Sequence, residues 1–151
     1  MGIVRQLLLP VLAAPGLTSC TPADRNMDEL IQRAHADRQH LPELAKRLTS
    51  QHVFIVAGWE SLEATTITIQ DFVRNGRSFI PVFSDRAHFE RETRGSGFES
   101  RGVSIDGNLL ASMLSGDELL VLNPGSPTPV EISAGDLKAC IDPARLPKPE
   151  R

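Results

Sequence analysis

The side chains best suited to metal binding and covalent catalysis are scattered along this chain of 151 residues. Histidine occurs at His35, His40, His52 and His88. No two of them lie four residues apart, the spacing that lets two imidazoles on one face of a helix bind zinc. Cys20 and Cys140 stand far apart in the sequence, whereas redox dithiols and metal sites use closely spaced cysteines. We therefore expect no metal site and no redox pair.

The remaining nucleophiles lack the partners that catalysis requires. Cys140 follows apolar residues of the last predicted helix, so we expect a buried thiol that acts as a small apolar side chain. Ser126 follows Pro124 and Gly125, a context typical of a turn. The chain contains no nucleophile-elbow, phosphate-binding P-loop or calcium-loop motif. These observations predict a protein without catalytic residues and without a cofactor.

Residues 95–102 imitate a nucleotide-binding glycine pattern. Gly95, Gly97 and Gly102 belong to this segment, but Ser100 stands where the third glycine of the motif belongs. A predicted helix precedes the segment, whereas the motif follows a strand. We therefore expect a mobile loop here and not a nucleotide site.

The composition is that of an average globular protein. Hydrophobic residues make up 40% of the chain, charged residues make up 23%, and the formal net charge is −3. The length and the apolar content fit one domain with one hydrophobic core. The slight negative charge and the lack of a basic run argue against nucleic-acid binding, because phosphate backbones are recognised by concentrated positive charge.

The N-terminal segment has two interpretations. The tetrapeptide Leu-Thr-Ser-Cys that ends at Cys20 resembles the lipobox of bacterial lipoproteins, and a diacylated Cys20 would hold the domain on a membrane. Alternatively, residues 1–26 are a non-membrane extension, such as one that results from an upstream start codon. Asn26 as a helix N-cap, with Glu29 completing a capping box, favours a domain that starts at Met27.

Two helices and a buried strand are predicted for the first part of the domain. Residues 28–37 have helical spacing, and Pro42 fits the first turn of a second helix. Residues 53–56 form a short apolar run that is typical of a strand buried on both faces. Trp59 follows this strand, and we expect it to be a core plug or lid rather than a ligand platform.

Asn75 and Gly76 predict a type I′ hairpin, because both residue types tolerate positive φ. The turn would place Arg74 opposite Arg77, a like-charge pair that marks either an anion site or two solvated arginines. Pro81 lies in the second strand of this hairpin. Its missing N–H predicts that the strand is an edge strand or contains a bulge.

The second half of the chain alternates short helices and strands. Ser84 is predicted to cap a helix over residues 85–94, and Asp106 is predicted to cap the next helix. The other predicted elements are strands at 103–105, 119–122 and 130–132, a type II turn at 123–126, a last helix at 133–141 and a disordered tail at 143–151. The pattern predicts an α+β fold with a single domain at 27–142, in which helices, two of them N-terminal, pack on a mixed, mostly antiparallel sheet.

Three segments of the chain carry motifs that occur together in one bacterial family. They are Met-Asp-Glu-Leu-Ile at 27–31, Gly-Arg-Ser-Phe-Ile-Pro-Val-Phe-Ser-Asp at 76–85 and Gly-Asp-Glu-Leu-Leu-Val-Leu-Asn-Pro-Gly-Ser at 116–126. In this order they resemble the SseB-type N-terminal domain, whose family is named for an enhanced serine-sensitivity phenotype. The resemblance covers residues 27–140. It implies a compact α+β domain, usually cytoplasmic, with no established enzymatic activity and no known cofactor.

Two hypotheses for the function follow. The first is a non-catalytic protein-interaction or adaptor module with an unknown protein partner. Its candidate contact residues are Trp59, Arg77, Phe79, Asn123, Gly125 and Ser126. The second is a small-ligand sensor or uncharacterised enzyme whose polar residues converge only in three dimensions. Those residues would be Asp71, Arg74, Arg77 and Asn123.

Overall fold

Five α-helices and six β-strands form in residues 23–60 and 66–149, the parts of the chain that the computed structural model describes. The helices are α1 (Ala23–Ala36), α2 (Leu41–Thr49), α3 (Arg86–Thr93), α4 (Gly107–Met113) and α5 (Ala134–Lys138). The strands are β1 (His52–Val56), β2 (Phe72–Arg74), β3 (Arg77–Phe83), β4 (Gly102–Asp106), β5 (Leu119–Leu122) and β6 (Val130–Ser133). Short 3-10 helices occur at Arg38–His40 and Pro143–Arg145.

The strands form one mixed sheet. Its order is β4-β1-β3-β5-β6, and β2 pairs with β3. Strands β3 and β5 are parallel, whereas the other neighbouring strands are antiparallel. This arrangement confirms the predicted α+β fold with a mixed, mostly antiparallel sheet.

One face of the sheet carries the main hydrophobic core. Val53 and Ile55 of β1 and Leu120 and Leu122 of β5 point to it, and each is at most 2% exposed. Helices α1, α2, α4 and α5 cover this face, which we call the helical face. Burial of one such aliphatic side chain contributes about 1.5–3 kcal/mol. The helical face is therefore the main source of hydrophobic stabilisation.

Helix α3 covers part of the opposite face, over β1 and the end of β3. The ring of Phe89 packs on Phe54 and Phe83, with centroids 6.2 and 5.4 Å away. Gly102 of β4 lies next to the same ring, and a Cβ atom there would be 2.5 Å from it. This smaller cluster is mainly aromatic, whereas the core under the helical face is aliphatic.

The first helix begins earlier than the sequence predicts. It starts at Ala23, so Asn26 lies inside the helix and the prediction that Asn26 is the N-cap is wrong. Glu29 forms an ion pair with Arg33, at 2.9 Å and one turn away, instead of completing a capping box. The prediction for the second helix is confirmed, because Pro42 lies in the first turn of α2.

The β2–β3 hairpin has the predicted turn. Asn75 and Gly76 have φ angles of 53° and 76°, as a type I′ turn requires. Arg74 pairs directly with Arg77 across the hairpin. The Nη2 atom of Arg77 lies 3.5 Å from Oε1 of Glu131 on β6. This carboxylate offsets part of the repulsion between the two arginines.

Pro81 contradicts the expectation of an edge strand or bulge, since β3 is the central strand of the sheet. The carbonyl oxygen of Val82 faces β5 and accepts from the N–H of Asn123 at 2.7 Å. The nitrogen of Pro81 consequently faces the other side of β3. On that side β3 pairs with β2 as far as Phe79 and with β1 from Val82 onward. Pro81 thus lies where β3 changes partner and no ladder bond needs its N–H.

For the helices that follow α2, the predicted cap Asp106 is confirmed and the predicted cap Ser84 is wrong. Asp106 accepts backbone N–H bonds at the start of α4, and the Ser133 hydroxyl accepts the N–H bond that caps α5. The cap of α3 is Asp85 and not Ser84, because Asp85 Oδ1 accepts from the N–H of His88 at 2.8 Å. The Ser84 side chain makes other contacts, which are described below.

The C-terminal residues depart from the predicted pattern. Helix α5 ends at Lys138, earlier than predicted. Pro143–Arg145 form a 3-10 helix in the region predicted to be disordered. The Arg145 guanidinium donates to the carbonyl oxygen of Thr49 at 2.5 Å and pairs with Asp106 at 2.6 Å. These bonds tie the start of the predicted tail to the domain.

Candidate functional site

Within the described residues, α3 leaves uncovered the part of its sheet face that β3, β5 and β6 form. Phe79 of β3 and Leu119 and Val121 of β5 point to this area and are half-buried. Their strand neighbours Ile80 and Leu120 are buried under the helical face. We call the uncovered area the open face. Its apolar side chains are accessible to another molecule.

Four aromatic rings extend from the open face to the residues that follow β1. The Phe79 ring centroid lies 6.3 Å from that of Phe72, which lies 5.1 Å from that of Phe98. Phe98 in turn lies 6.0 Å from Trp59. These separations are in the range of attractive aromatic pairs. We call these four residues the aromatic row.

An apolar hollow of about 150 Å³ opens beside the aromatic row. Phe72, Phe79 and Phe98 line it, together with Pro81 and Pro124. Small-molecule sites usually measure roughly 300–1,000 Å³. The apolar hollow therefore fits one apolar side chain better than a whole ligand.

Trp59 projects into solvent, with 70% of its surface exposed. The prediction that it is a core plug or lid is therefore wrong. The guanidinium carbon of Arg101 lies 4.4 Å from the Trp59 ring centroid. Such a cation–π contact restrains the orientation of the ring, although most of the ring is exposed to solvent.

Arg101 is itself buried, with 6% of its surface exposed. Its Nε donates to the carbonyl oxygen of Ala57 at 3.0 Å, and its Nη2 donates to that of Gly58. Hydrogen bonds from a charged donor are roughly twice as strong as neutral ones. The carbonyls after β1 thus anchor the cation that holds Trp59. Arg101 is not predicted from the sequence, because nothing in its local sequence distinguishes a buried arginine from a solvated one.

The glycines of the loop before Arg101 donate hydrogen bonds to a side chain of the same loop. The Glu99 carboxylate accepts from the N–H groups of Gly95 and Gly97 at 2.8 and 2.7 Å. Hydrogen bonds from its own backbone N–H and from these two glycines lower the pKa of Glu99 below its ordinary 4.5. A side chain of the protein therefore occupies the amides that a bound phosphate would need.

A second hollow on the open face, of about 210 Å³, shares Phe79 with the first. Its other lining residues include Arg74, Arg77, Val121 and Glu131. The Arg74 guanidinium carbon lies 5.3 Å from the Phe79 ring centroid. The open face thus combines apolar surface with positive charge at the hairpin end.

Comparison with known families identifies the domain. The profile of the SseB protein N-terminal domain matches residues 27–139. The chain belongs to the SseB family. The match includes the open face, the aromatic row and Arg101, so these features lie within the family's domain. Neither a curated protein nor a solved structure matches the chain.

In this SseB domain, Asn123 joins the ends of the two parallel strands β3 and β5. It is 1% exposed and has a φ angle of 50°, a left-handed conformation that asparagine tolerates better than most residues. Its Nδ2 donates to the Ser84 hydroxyl, and its Oδ1 accepts from the Ser84 N–H, both at 3.0 Å. Because both side-chain polar atoms bond within the fold, Asn123 shapes the surface and does not offer a free amide to a partner.

The turn at 123–126 differs in type from the prediction. The N–H of Ser126 donates to the carbonyl oxygen of Asn123 at 3.0 Å, so a turn is present. Gly125 lacks the positive φ that a type II turn requires, so the predicted type is wrong. Gly125 instead permits a close contact, since its N–H donates to Oε1 of Glu92 at 2.5 Å and a Cβ atom would lie 3.0 Å from that oxygen.

Ser84, Asp85 and His88 meet at the start of α3. Oδ1 of Asp85 lies 2.9 Å from Nδ1 of His88, and the Ser84 hydroxyl lies 3.3 Å from the same nitrogen. A catalytic triad needs the serine and the carboxylate on opposite imidazole nitrogens. Burial raises the pKa of Asp85, but hydrogen bonds from the His88 backbone and side chain outweigh it and the pKa falls below 3.8. This cluster has the geometry of a helix cap.

A polar groove of about 680 Å³ lies between α1, α3 and residues 123–128. Asp28, Gln32, His88, Arg91 and Glu92 are among its lining residues. Within the described residues, the buried Oε2 atom of Glu92 has no hydrogen-bond partner. Burial raises the pKa of Glu92 above its ordinary 4.5, against the opposing hydrogen bond from the turn. The volume of this polar groove is suited to a small polar molecule.

The structure also bears on the metal, thiol and membrane chemistry considered from the sequence. Within residues 23–60 and 66–149, no three His, Cys, Asp or Glu side chains are arranged so that they could hold a metal ion. No helix in the same part of the chain has the length and apolarity to cross a membrane. Cys140 is a half-buried free thiol at the edge of the core. Cys20 lies outside the described residues.

The residues predicted as contacts fall into two groups. Three of them, Trp59, Arg77 and Phe79, lie on the open face or in the aromatic row. The other three, Asn123, Gly125 and Ser126, form the turn whose Pro124 borders the apolar hollow. Of the four polar residues predicted to converge, Asp71 lines one hollow with Arg77, and Arg74 lines another with Arg77, whereas Asn123 lies apart in the polar groove.

Proposed function

We propose that this SseB domain is a non-catalytic protein-interaction module that binds its partner through the open face and the aromatic row. The observation that carries this proposal is the uneven coverage of the sheet. Four helices pack on the helical face, whereas Phe79, Leu119 and Val121 stay partly exposed on the other side. Contiguous apolar surface in contact with water favours association with another molecule.

The exposure of Trp59 also favours this surface as the contact region. Tryptophan is enriched among the residues that dominate binding energy at protein interfaces. The cation–π contact with Arg101 already restrains the ring. Trp59 therefore loses less conformational freedom on binding than an unrestrained side chain would, and this favours affinity.

Site-specific crosslinking in the native host tests the proposal. A photoreactive phenylalanine analogue at Phe79 should crosslink one partner protein, whereas the same analogue at Glu43, an exposed position of α2, should not. The purified partner should then bind Trp59→Ala about tenfold more weakly than the unaltered protein. Equal crosslinking from both positions, or full affinity in Trp59→Ala, would contradict the proposal.

The environment of Ser84 supports a non-catalytic role. Ser84 is 5% exposed, and its hydroxyl accepts from Asn123 Nδ2. A serine nucleophile needs access to substrate, which the burial of Ser84 prevents. Ser84→Ala should therefore leave partner binding unchanged once the variant is shown to be folded.

A small-ligand sensor is the second candidate function, and the polar groove favours it. Arg91 and the unpartnered Oε2 atom of Glu92 are groups that a polar ligand would contact. A thermal-shift screen with a metabolite collection tests this candidate. A compound that stabilises the unaltered protein and Trp59→Ala, but not Arg91→Ala, would support it. A screen without any such compound would count against it.

We infer a cytoplasmic location for the domain, and the alternative is a membrane-anchored lipoprotein. The family resemblance supports the first, and the lipobox-like residues before Cys20 support the second. Labelling cells with an alkyne-bearing fatty acid distinguishes them. Label that is lost in Cys20→Ser would establish the anchor, whereas an unlabelled protein would support the cytoplasmic location.

A further inference from the structure

The hairpin end of the open face carries the two guanidinium groups of Arg74 and Arg77. Arg77 has Glu131 at 3.5 Å. Within residues 23–60 and 66–149, no carboxylate forms an ion pair with Arg74, and its guanidinium lies against the Phe79 ring. Arg74 is exposed, so its five N–H donors are accessible from the open face.

The positions of Arg74 and the apolar hollow are related by the geometry of one strand. Phe72 lines the apolar hollow, and Arg74 follows it by two residues in β2. Side chains two residues apart in a strand point to the same face and are about 6.4–6.8 Å apart. Phe72 pairs with Phe79, and Arg74 pairs with Arg77. One side of the hairpin therefore carries a pair of aromatic residues followed by a pair of arginines.

We propose that the occupant of the open face is an extended peptide segment that carries an apolar side chain and a carboxylate two positions apart. This inference rests on the proposed function and specifies the chemistry of the partner. Alternate side chains of an extended segment have the spacing of Phe72 and Arg74. The apolar side chain enters the apolar hollow beside Phe72 and Phe98, and the carboxylate meets the guanidinium of Arg74.

The two contacts have different roles. The apolar hollow removes an apolar side chain from water and so supplies affinity. The Arg74 contact lies at the exposed rim, where a charge pair contributes to selectivity and to the association rate more than to affinity. A guanidinium suits a carboxylate because its planar N–H groups match the two oxygens. An acidic segment should therefore bind better than a neutral one, and high salt should reduce the difference.

Selection from a displayed library of random peptides tests the inference on the full chain. The unaltered protein should enrich sequences with Asp or Glu two positions from a large apolar residue. Arg74→Glu should enrich Lys or Arg at that position instead. A peptide selected on the unaltered protein should bind Arg74→Glu about five- to tenfold more weakly, and a peptide with Lys in place of its carboxylate residue should restore binding. Arg38→Glu, at an exposed arginine between α1 and α2, is the matched charge-reversal control and should leave the selection unchanged.

The outcomes separate this inference from the proposed function. Enriched peptides that bind Phe79→Ser poorly but show no acidic preference, and that bind Arg74→Glu normally, would overturn the inference and leave the open face as the binding surface. Enriched peptides whose binding is unaffected by both variants would contradict both statements. An acidic preference that reverses in Arg74→Glu would establish the inference.

Discussion

The guanidinium of Arg101 lies 4.4 Å from the ring centroid of Trp59, although Arg101 is 6% exposed and Trp59 is 70% exposed. A buried cation thus supports an exposed aromatic ring. The carbonyl oxygens of Ala57 and Gly58 fix the cation, and the cation connects the end of β1 to the aromatic row. Trp59 is therefore placed by the fold before any partner arrives.

Replacement of Arg101 should affect both stability and the tryptophan signal. Arg101→Met removes the charged donors from two buried carbonyl groups, and we expect a loss of about 2–3 kcal/mol in the free energy of unfolding. Trp59 is the only tryptophan, so its fluorescence reports directly on the lost cation–π contact. Urea unfolding and fluorescence anisotropy measure the two effects. Arg94→Met, at an exposed arginine, should change neither, and equal behaviour of the two variants would refute this role of Arg101.

Two glycine substitutions should have opposite effects on stability. A Cβ atom at Gly107 would lie 1.8 Å from the carbonyl oxygen of Leu48, so Gly107→Ala forces backbone movement and should cost about 3 kcal/mol or more. Gly135 is in α5, and a Cβ atom there meets its nearest neighbour at 3.8 Å. Gly135→Ala should therefore be neutral or stabilise by up to about 1 kcal/mol. Thermal unfolding of both variants measures the difference, and a stable Gly107→Ala would show that α2 and α4 are packed differently.

Glu118 should make stability depend on acid pH. Hydrogen bonds from the N–H groups of Ser115 and Gly116 lower the pKa of Glu118 to about 2 from its ordinary 4.5. A carboxylate with a lowered folded-state pKa stabilises above pH 4.5 and loses that contribution as the pH falls toward 2. Glu118→Gln should lose on the order of 1 kcal/mol at pH 7, after allowance for solvent screening. Urea unfolding from pH 7 to pH 3 should show this difference shrinking, and a constant difference would contradict it.

Glu92 should have the opposite pH dependence. Burial raises its pKa above 4.5, so the folded protein binds a proton that the unfolded chain releases, and ionisation of Glu92 destabilises the fold as the pH rises above 4.5. Glu92→Gln keeps an acceptor for the Gly125 N–H and removes the buried charge. The variant should be more stable than the unaltered protein at pH 7 and equal to it at pH 4. Urea unfolding at the two pH values measures this difference, and a variant less stable than the unaltered protein at pH 7 would contradict it.

Several elements that depend only on residues close together in the sequence were predicted correctly. The Asn75-Gly76 hairpin, the Asp106 cap and the paired helices around Pro42 are correct because each depends on residues within a few positions. Pro81 was misplaced because its tolerance in a central strand depends on the change of partner between β2 and β1. That change is a property of the tertiary fold.

The candidate site was predicted only in part for the same reason. Phe79 and Trp59 were identified from residue type, but whether each side chain is buried or exposed depends on what packs over it. A short helix α3 leaves Phe79 partly exposed, and the distant Arg101 holds Trp59 in solvent. Asn123 looked like a contact residue because it lies in a turn, whereas its amide bonds to Ser84. Such contacts between segments far apart in sequence leave no local pattern.

Hydrogen–deuterium exchange of the domain, alone and with the purified partner found by crosslinking, tests most directly whether the open face is the binding surface. We expect slower exchange at residues 72–79, 98–101 and 119–122 when the partner is bound, and unchanged exchange in Leu41–Thr49 of α2. Slower exchange in α2 together with unchanged exchange at 72–79 would contradict it.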